Sequence, residues 1–364
     1  MTGPSMQAKR APSSRVVPLA LAALALACGS GGAPRAAAPA AEPIAGLSTG
    51  AWTWVDFPDS ACDDGSPTGI GVSPGTGPDL VVVLNGGGAC WDYLTCFAIG
   101  TASRGPYGAP EFALQAAALP GSILDRTLPG NPFRDATLVF VPYCTGDIHG
   151  GDNVAVYAGP GETRTYHHVG HANLVAFLRR LGATWPAPRR LVVSGASAGG
   201  FGTVINYDAF RRQWPDAEAF LVDDSGPTLE KGAISQGLLD AWYASWRLDR
   251  LLDPICGTPC RTDLSAGLSA VMARYPRDRM ALLSSLQDRV ISAYFTISGA
   301  QLEQELHRLA ADVVDPAPNA RRYFVPGSTH TMLGNPAAFA QGVPLLEWLG
   351  QQVGGDPAWA SQQP

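Results

Sequence analysis

Charge is scarce in this chain. Only 15% of its 364 residues are Asp, Glu, Lys or Arg, the net charge is -6, and no basic stripe stands out. A nucleic-acid partner is therefore not expected, because phosphate binding needs clustered Lys and Arg. There is no internal repeat, which excludes a solenoid or propeller. The apolar run over residues 16–27 is too short to span a bilayer as a helix, and no second export or membrane segment follows. No Cys-x-x-Cys pair or His partner has metal spacing, which argues against a zinc site. Histidines number only six, so each candidate base can be weighed individually.

Small and apolar residues fill the space that charge leaves. Hydrophobic residues make up 46%, enough for a large core, while 42 Gly and 31 Pro mark many fixed turns. Lys9, Arg10 and Arg15 precede the 16–27 run, so residues 1–27 read as an export signal. Cys28 follows Leu26-Ala27, where a lipid can be attached, although Ala25 stands where a lipobox usually has Leu. Residues 28–45 read as a flexible tether, 46–355 as the folded domain and 356–364 as a tail. The expected location is outside the cell or lipid-anchored at its envelope, with the membrane reached only through that anchor and the chain a monomer. Six cysteines remain, an even number that suits an oxidising compartment. Cys90 with Cys96 and Cys256 with Cys260 are close in sequence, and Cys62 with Cys144 follows by elimination; other connectivities stay open.

Along the chain, period-2 alternation near Trp52 and Trp54 suits a first strand, and residues 63–78 look like polar turns. Buried strands are expected at 79–85, 136–142, 189–195, 219–223, 280–285 and 322–326. Helical spacing marks 166–181, 200–214, 301–313 and 337–353, and residues 229–275 read as a helical insertion. Strands alternating with helices imply an α/β protein, a mostly parallel central sheet flanked by helices, with the insertion lying over the active site. Ligands of such sheets bind at the carboxyl ends of the strands. Gly86 to Gly88, Ser197, Asp224, Asp288 and His330 each fall just after an expected strand, so separate loops should converge on one edge.

The centre of that edge is Gly195-Ala-Ser-Ala-Gly199, a Gly-x-Ser-x-Gly pattern between a strand and a helix, the context of a nucleophile elbow. A serine nucleophile needs a base and a carboxylate that orients it. His330 after the last strand is the expected base, with His149 second. His168 and His171 share a face but read as a solvated helix end, and His307 as solvent-facing. The acid should lie between Ser197 and His330; Asp288 is the first choice and Asp224 the rival, which can instead bind a loop backbone. Backbone N–H groups of Gly86, Gly87 and Ala198 are the expected oxyanion donors. Trp91, Asp147, His149 and Asp224 are the expected pocket residues.

Asn85-Gly-Gly-Gly-Ala-Cys-Trp91, Cys144-Thr-Gly-Asp147, Gly195-Ala-Ser-Ala-Gly-Gly200, Asp223-Asp-Ser-Gly226 and Ser328-Thr-His330 together resemble the pectin acetylesterase family, from about Thr49 to Trp348. Asn85 stands where many members have Glu, and Ala89 where an aromatic often precedes the cysteine. The resemblance implies an α/β-hydrolase fold and cofactor-free hydrolysis of carboxylic esters. It puts the nucleophile at Ser197, the base at His330, the acid at Asp288 and the oxyanion hole at Gly86, Gly87 and Ala198. The expected substrate is an O-acetyl ester on a carbohydrate. A lipid acyl ester, as in the family's Notum branch, and a non-catalytic carbohydrate- or lipid-binding protein on the same fold are the alternatives.

Overall fold

The structure, a computed structural model, describes residues 41–363. The expected export signal, Cys28 and most of the expected tether lie outside the described residues. In chain order the strands are β1 Thr53–Phe57, β2 Thr68–Ser73, β3 Leu80–Leu84, β4 Thr137–Val141, β5 Asn153–Gly159, β6 Glu162–His168, β7 Arg190–Ala196, β8 Glu218–Asp224, β9 Arg279–Ser285 and β10 Ala320–Val325. The α-helices are α1 Ala109–Ala117, α2 Gly170–Thr184, α3 Ala198–Gln213, α4 Gln236–Trp246, α5 Asp249–Cys256, α6 Ser265–Arg274, α7 Arg289–Phe295, α8 Gly299–Leu309 and α9 Leu345–Gly354.

Eight strands form one sheet in the order β1-β2-β4-β3-β7-β8-β9-β10. β2 pairs antiparallel with both β1 and β4, and every other pairing is parallel. Period-2 alternation sorts the strand side chains into two cores. Leu80, Val82 and Leu84 of β3 share one face with Leu191 and Val193 of β7, covered by α2, α3 and the insertion helices. Val81 and Val83 point the other way and pack with Val192, Phe220 and Leu283 against Phe112 of α1 and Trp348 of α9. Burial on both faces explains why the parallel strands read as continuous apolar runs. The insertion is helical as expected: α4, α5 and α6, with a single 3-10 turn at Thr258–Arg261.

Four local expectations are corrected. The stretch 63–78 contains buried β2, whose glycines lie under close neighbours: a Cβ on Gly71 would enter the Phe112 ring. Glycine there serves close approach and not a turn. Residues 166–168 finish the β5–β6 hairpin, and the helix begins only at Gly170. Helix α1 was not expected; Pro110 sits in its first turn and Glu111 accepts the Gly108 N–H at 2.8 Å. The 337–353 helix starts late, because Phe339–Ala340 and Val343–Pro344 pair first and the helix follows Pro344. The end of the chain is docked: Phe324 N–H donates to Gln362 O at 3.0 Å, and Trp359 packs on Trp348. Among the described residues no helix is long and apolar enough to cross a membrane.

Three disulfides are present: Cys62–Cys144, Cys90–Cys96 and Cys256–Cys260. The Cys90 and Cys96 sulfurs lie beside His168, but joined to each other they offer no thiolate to a metal.

Candidate active site

Strand β7 runs straight into Ser197, which has φ 58° and ψ -121°, and α3 starts at the next residue. A non-glycine residue in this region is strained and persists only when its surroundings hold it. They do so here. Ser197 N–H donates to the Asp224 carbonyl at 2.7 Å, and the flanking glycines let α3 sit on the sheet: a Cβ on Gly199 would run into the Leu84 carbonyl. The strain leaves the hydroxyl facing a cavity at the carboxyl edge of the sheet.

That cavity measures about 560 Å³, and Gly86, Gly87, Ser103, Ser197, Tyr294 and His330 are in its wall. Gly86 packs directly on the elbow: a Cβ there would stand 2.6 Å from Ala196 O and 2.9 Å from Ser197 Cβ. The Gly86 and Gly87 N–H groups donate to no acceptor among the described residues, and Ala198 N–H is in the unbonded first turn of α3. His149 supports this bend from behind. It is buried, its Nε2 lies 2.8 Å from Asn85 O, and burial lowers its pKa to about 4.

His330 Nδ1 lies 2.8 Å from Asp288 Oδ2. Asp288 follows β9 and caps α7, and its other oxygen accepts the N–H groups of Val290 at 2.9 Å and Ile291 at 3.1 Å. The carboxylate is thereby fixed at both ends. With Nδ1 engaged by Asp288, Nε2 is the His330 nitrogen left to exchange a proton with a group in the cavity. Backbone bonds join the two loops as well: Gln287 N–H to Gly327 O at 2.9 Å and Arg289 N–H to Ser328 O at 3.3 Å.

Asp224 has a different task. Its Oδ2 accepts the Met332 N–H at 2.6 Å and the Leu333 N–H at 2.8 Å, just beyond His330. Burial pushes its pKa up to about 6. The side chain therefore ties down the loop that carries His330, while its backbone oxygen ties down the elbow. Asp147 is buried beneath the site and accepts from Thr145 Oγ1 and Gly170 N–H; burial raises its pKa to about 7. Trp91 stands behind Trp242, ring centroids 6.1 Å apart. Trp91, Asp147, His149 and Asp224 are not in the wall of either cavity at Ser197; Asp147, His149 and Asp224 are buried and bonded behind it.

The remaining histidines lie outside the cavity wall. His168 is fully buried between Thr145 O and Tyr157 Oη, not at a solvated helix end, and His171 bonds Asn206 at 2.7 Å. His307 is exposed on α8.

The second cavity at Ser197 is a narrow apolar recess walled by Ala89, Ile148, Phe201, Trp242, Ile291 and Phe295. The centre of a water-sized sphere can move over only about 20 Å³ of it. Sequence reasoning missed most of this wall. The insertion expected over the site supplies Trp242, and Phe201 carried a signal of its own, standing four residues after Ser197, one helical turn on the same face. Tyr294 was also missed; its hydroxyl bonds the Thr101 carbonyl and accepts the Ala89 N–H at 3.1 Å, clamping the glycine loop to α7.

Comparison with known proteins agrees with this architecture. The profile of the pectinacetylesterase family matches residues 53–251. The human palmitoleoyl-protein carboxylesterase NOTUM is 26% identical over 155 residues, which is 42% of this chain but only 30% of that protein's length. The crystal structure of the Wnt deacylase Notum from Drosophila superposes with a TM-score of 0.61 at 17% identity, covering 85% of this chain and 94% of that one. At this identity the likeness speaks for the fold, and the fold is the α/β-hydrolase expected from the sequence.

Proposed function

Because this chain belongs to the pectinacetylesterase family of carboxylic ester hydrolases, we propose that it removes short O-acyl groups, acetyl above all, from a carbohydrate by a Ser197–His330–Asp288 mechanism. Ser197 Oγ attacks the ester carbonyl carbon and passes its proton to His330 Nε2. Asp288 holds the imidazole in the tautomer that can accept it. The negative charge that grows on the carbonyl oxygen is met by the N–H groups of Gly86, Gly87 and Ala198, each worth roughly 3 kcal/mol in the transition state. His330 then returns the proton to the departing sugar hydroxyl. Water, deprotonated by His330, attacks the acyl-serine and releases the carboxylic acid.

The observation that carries the substrate reading is the contrast between the two cavities meeting at Ser197. The apolar recess, with about 20 Å³ for the centre of a water-sized sphere, suits a methyl group. The cavity of about 560 Å³ beside it suits a bulky polar alcohol. A recess of that size favours a short acyl group over a long lipid chain. Three disulfides support action outside the reducing cytosol, in line with an exported enzyme.

The test is turnover of p-nitrophenyl acetate, and acetate release from acetylated polysaccharide, by the wild type and Ser197→Ala. The wild type should be active on both and the variant on neither. Equal turnover by the two proteins would remove Ser197 from the reaction.

A further inference from the structure

Behind the acyl recess lies another apolar cavity that the proposed reaction does not use. It is enclosed between α3 and the insertion helices α5 and α6, with Val204, Ile205, Leu252 and Val271 in its wall. It is small, about 10 Å³ for the centre of a water-sized sphere. Phe201 and Ile148 belong to the walls of both cavities. They are the partition.

Each is held in place independently. Phe201 is stacked beneath Ser197 by the helical repeat, and its N–H reaches the Ser197 carbonyl at 3.2 Å. Its ring meets Trp242 and Phe295 edge-on, with centroids 6.5 and 6.2 Å away. Ile148 has φ 50°, a conformation that a β-branched residue rarely adopts. It is pinned there by its N–H, which donates to Tyr143 Oη at 2.7 Å. Strain of this kind concentrates where a side chain must be aimed at a ligand.

We propose that Phe201 sets the acyl-length limit of this enzyme: its ring closes the floor of the recess, and the cavity behind α3 is the space into which a longer chain extends once that ring is removed. The inference rests on the esterase reading of Ser197. No bond is made or broken by Phe201; it decides how many carbons of the acyl group can lie beyond the carbonyl.

The experiment compares p-nitrophenyl acetate with p-nitrophenyl hexanoate and reads the ratio of their kcat/KM values. Each methylene that moves from water into an apolar cavity is worth roughly fourfold. Phe201→Ala should therefore raise the hexanoate-to-acetate ratio by at least about tenfold, two further methylenes being enough. Adding Val204→Phe, which fills the rear cavity, should return the ratio toward that of the wild type. A folded Phe201→Ala protein with an unchanged ratio overturns the proposal, and so does a raised ratio that Val204→Phe leaves untouched. If Phe201→Ala does not fold, Phe201→Leu carries the same test with butyrate against acetate, and a flat ratio overturns it. Failure of the underlying esterase reading looks different: Ser197→Ala would then turn over acetate as the wild type does, whatever the ratios.

Discussion

Two buried aspartates reach the loop of His330, and replacing each by asparagine separates what they do. Both bonds from Met332 and Leu333 converge on one oxygen of Asp224, at 2.6 and 2.8 Å. The carbonyl oxygen of an asparagine can accept both. Its NH2 would take the place of Oδ1, where it meets Ser225 Oγ at 3.0 Å, and a hydroxyl can turn to accept. Asp224→Asn should therefore stay within about 1 kcal/mol of the wild type in transition-state stabilisation, a factor of about five. Asp224→Ala instead orphans two buried backbone donors at about 1–3 kcal/mol each, so about 2–6 kcal/mol of stability is lost. Its kcat should fall with little change in KM. At Asp288 the outcome inverts. Val290 and Ile291 donate to one oxygen, so an asparagine must keep its carbonyl there and turn its NH2 to His330 Nδ1. That forces the proton onto Nε2, which can no longer accept one from Ser197, and kcat should drop about 10⁴-fold. The assay is p-nitrophenyl acetate hydrolysis with urea unfolding of each variant. Equal losses in Asp224→Asn and Asp288→Asn, or a near-normal Asp288→Asn, would refute this division of roles.

Gly86→Ala should fold but lose about 10²–10³ in kcat, because the new methyl, 2.6 Å from Ala196 O, pushes the oxyanion loop off the elbow; wild-type kcat with acetate would refute that. Removing the Cys62–Cys144 bridge, with a sequence separation of 82, by the double change to Ser should cost about 4 kcal/mol in guanidinium unfolding, and an unchanged midpoint would show that the bridge constrains nothing. Burial lowers the His168 pKa to about 3, so the unfolded chain takes up its proton near 6.5 while the folded one does not. The stability of neutral His168 is thus complete above about pH 6.5 and lost as pH falls toward 3. The wild type should lose ground against His168→Gln by about 1.4 kcal/mol per pH unit in that window, and a pH-independent difference would refute it.

The convergence of the candidate site was legible in the sequence because it depends on local features. Period-2 and continuous apolar runs mark strands, and residues just after parallel strands must gather at one edge; Ser197, Asp288, His330 and Gly86 all follow that rule. Glycine-rich β2 was hidden because its glycines answer to tertiary neighbours, Gly71 to the Phe112 ring and Gly69 to the Val55 carbonyl of β1. The β5–β6 hairpin was hidden because its alternating burial is not written as alternating polarity: the outward positions of β5 include apolar Val154 and Val156, and β6 buries only Tyr166 and His168 at its end. Asp224 and Asp288 both stand at the carboxyl end of a parallel strand, Asp224 as the last residue of β8 and Asp288 three residues past β9, and only the packed loops decide which one faces His330 Nδ1 and which one holds the backbone after it. The recess, too, is a tertiary fact. Ile148, Phe201, Trp242 and Phe295 come from four separate segments, and its size depends on how closely those segments pack, a property that no window along the chain contains.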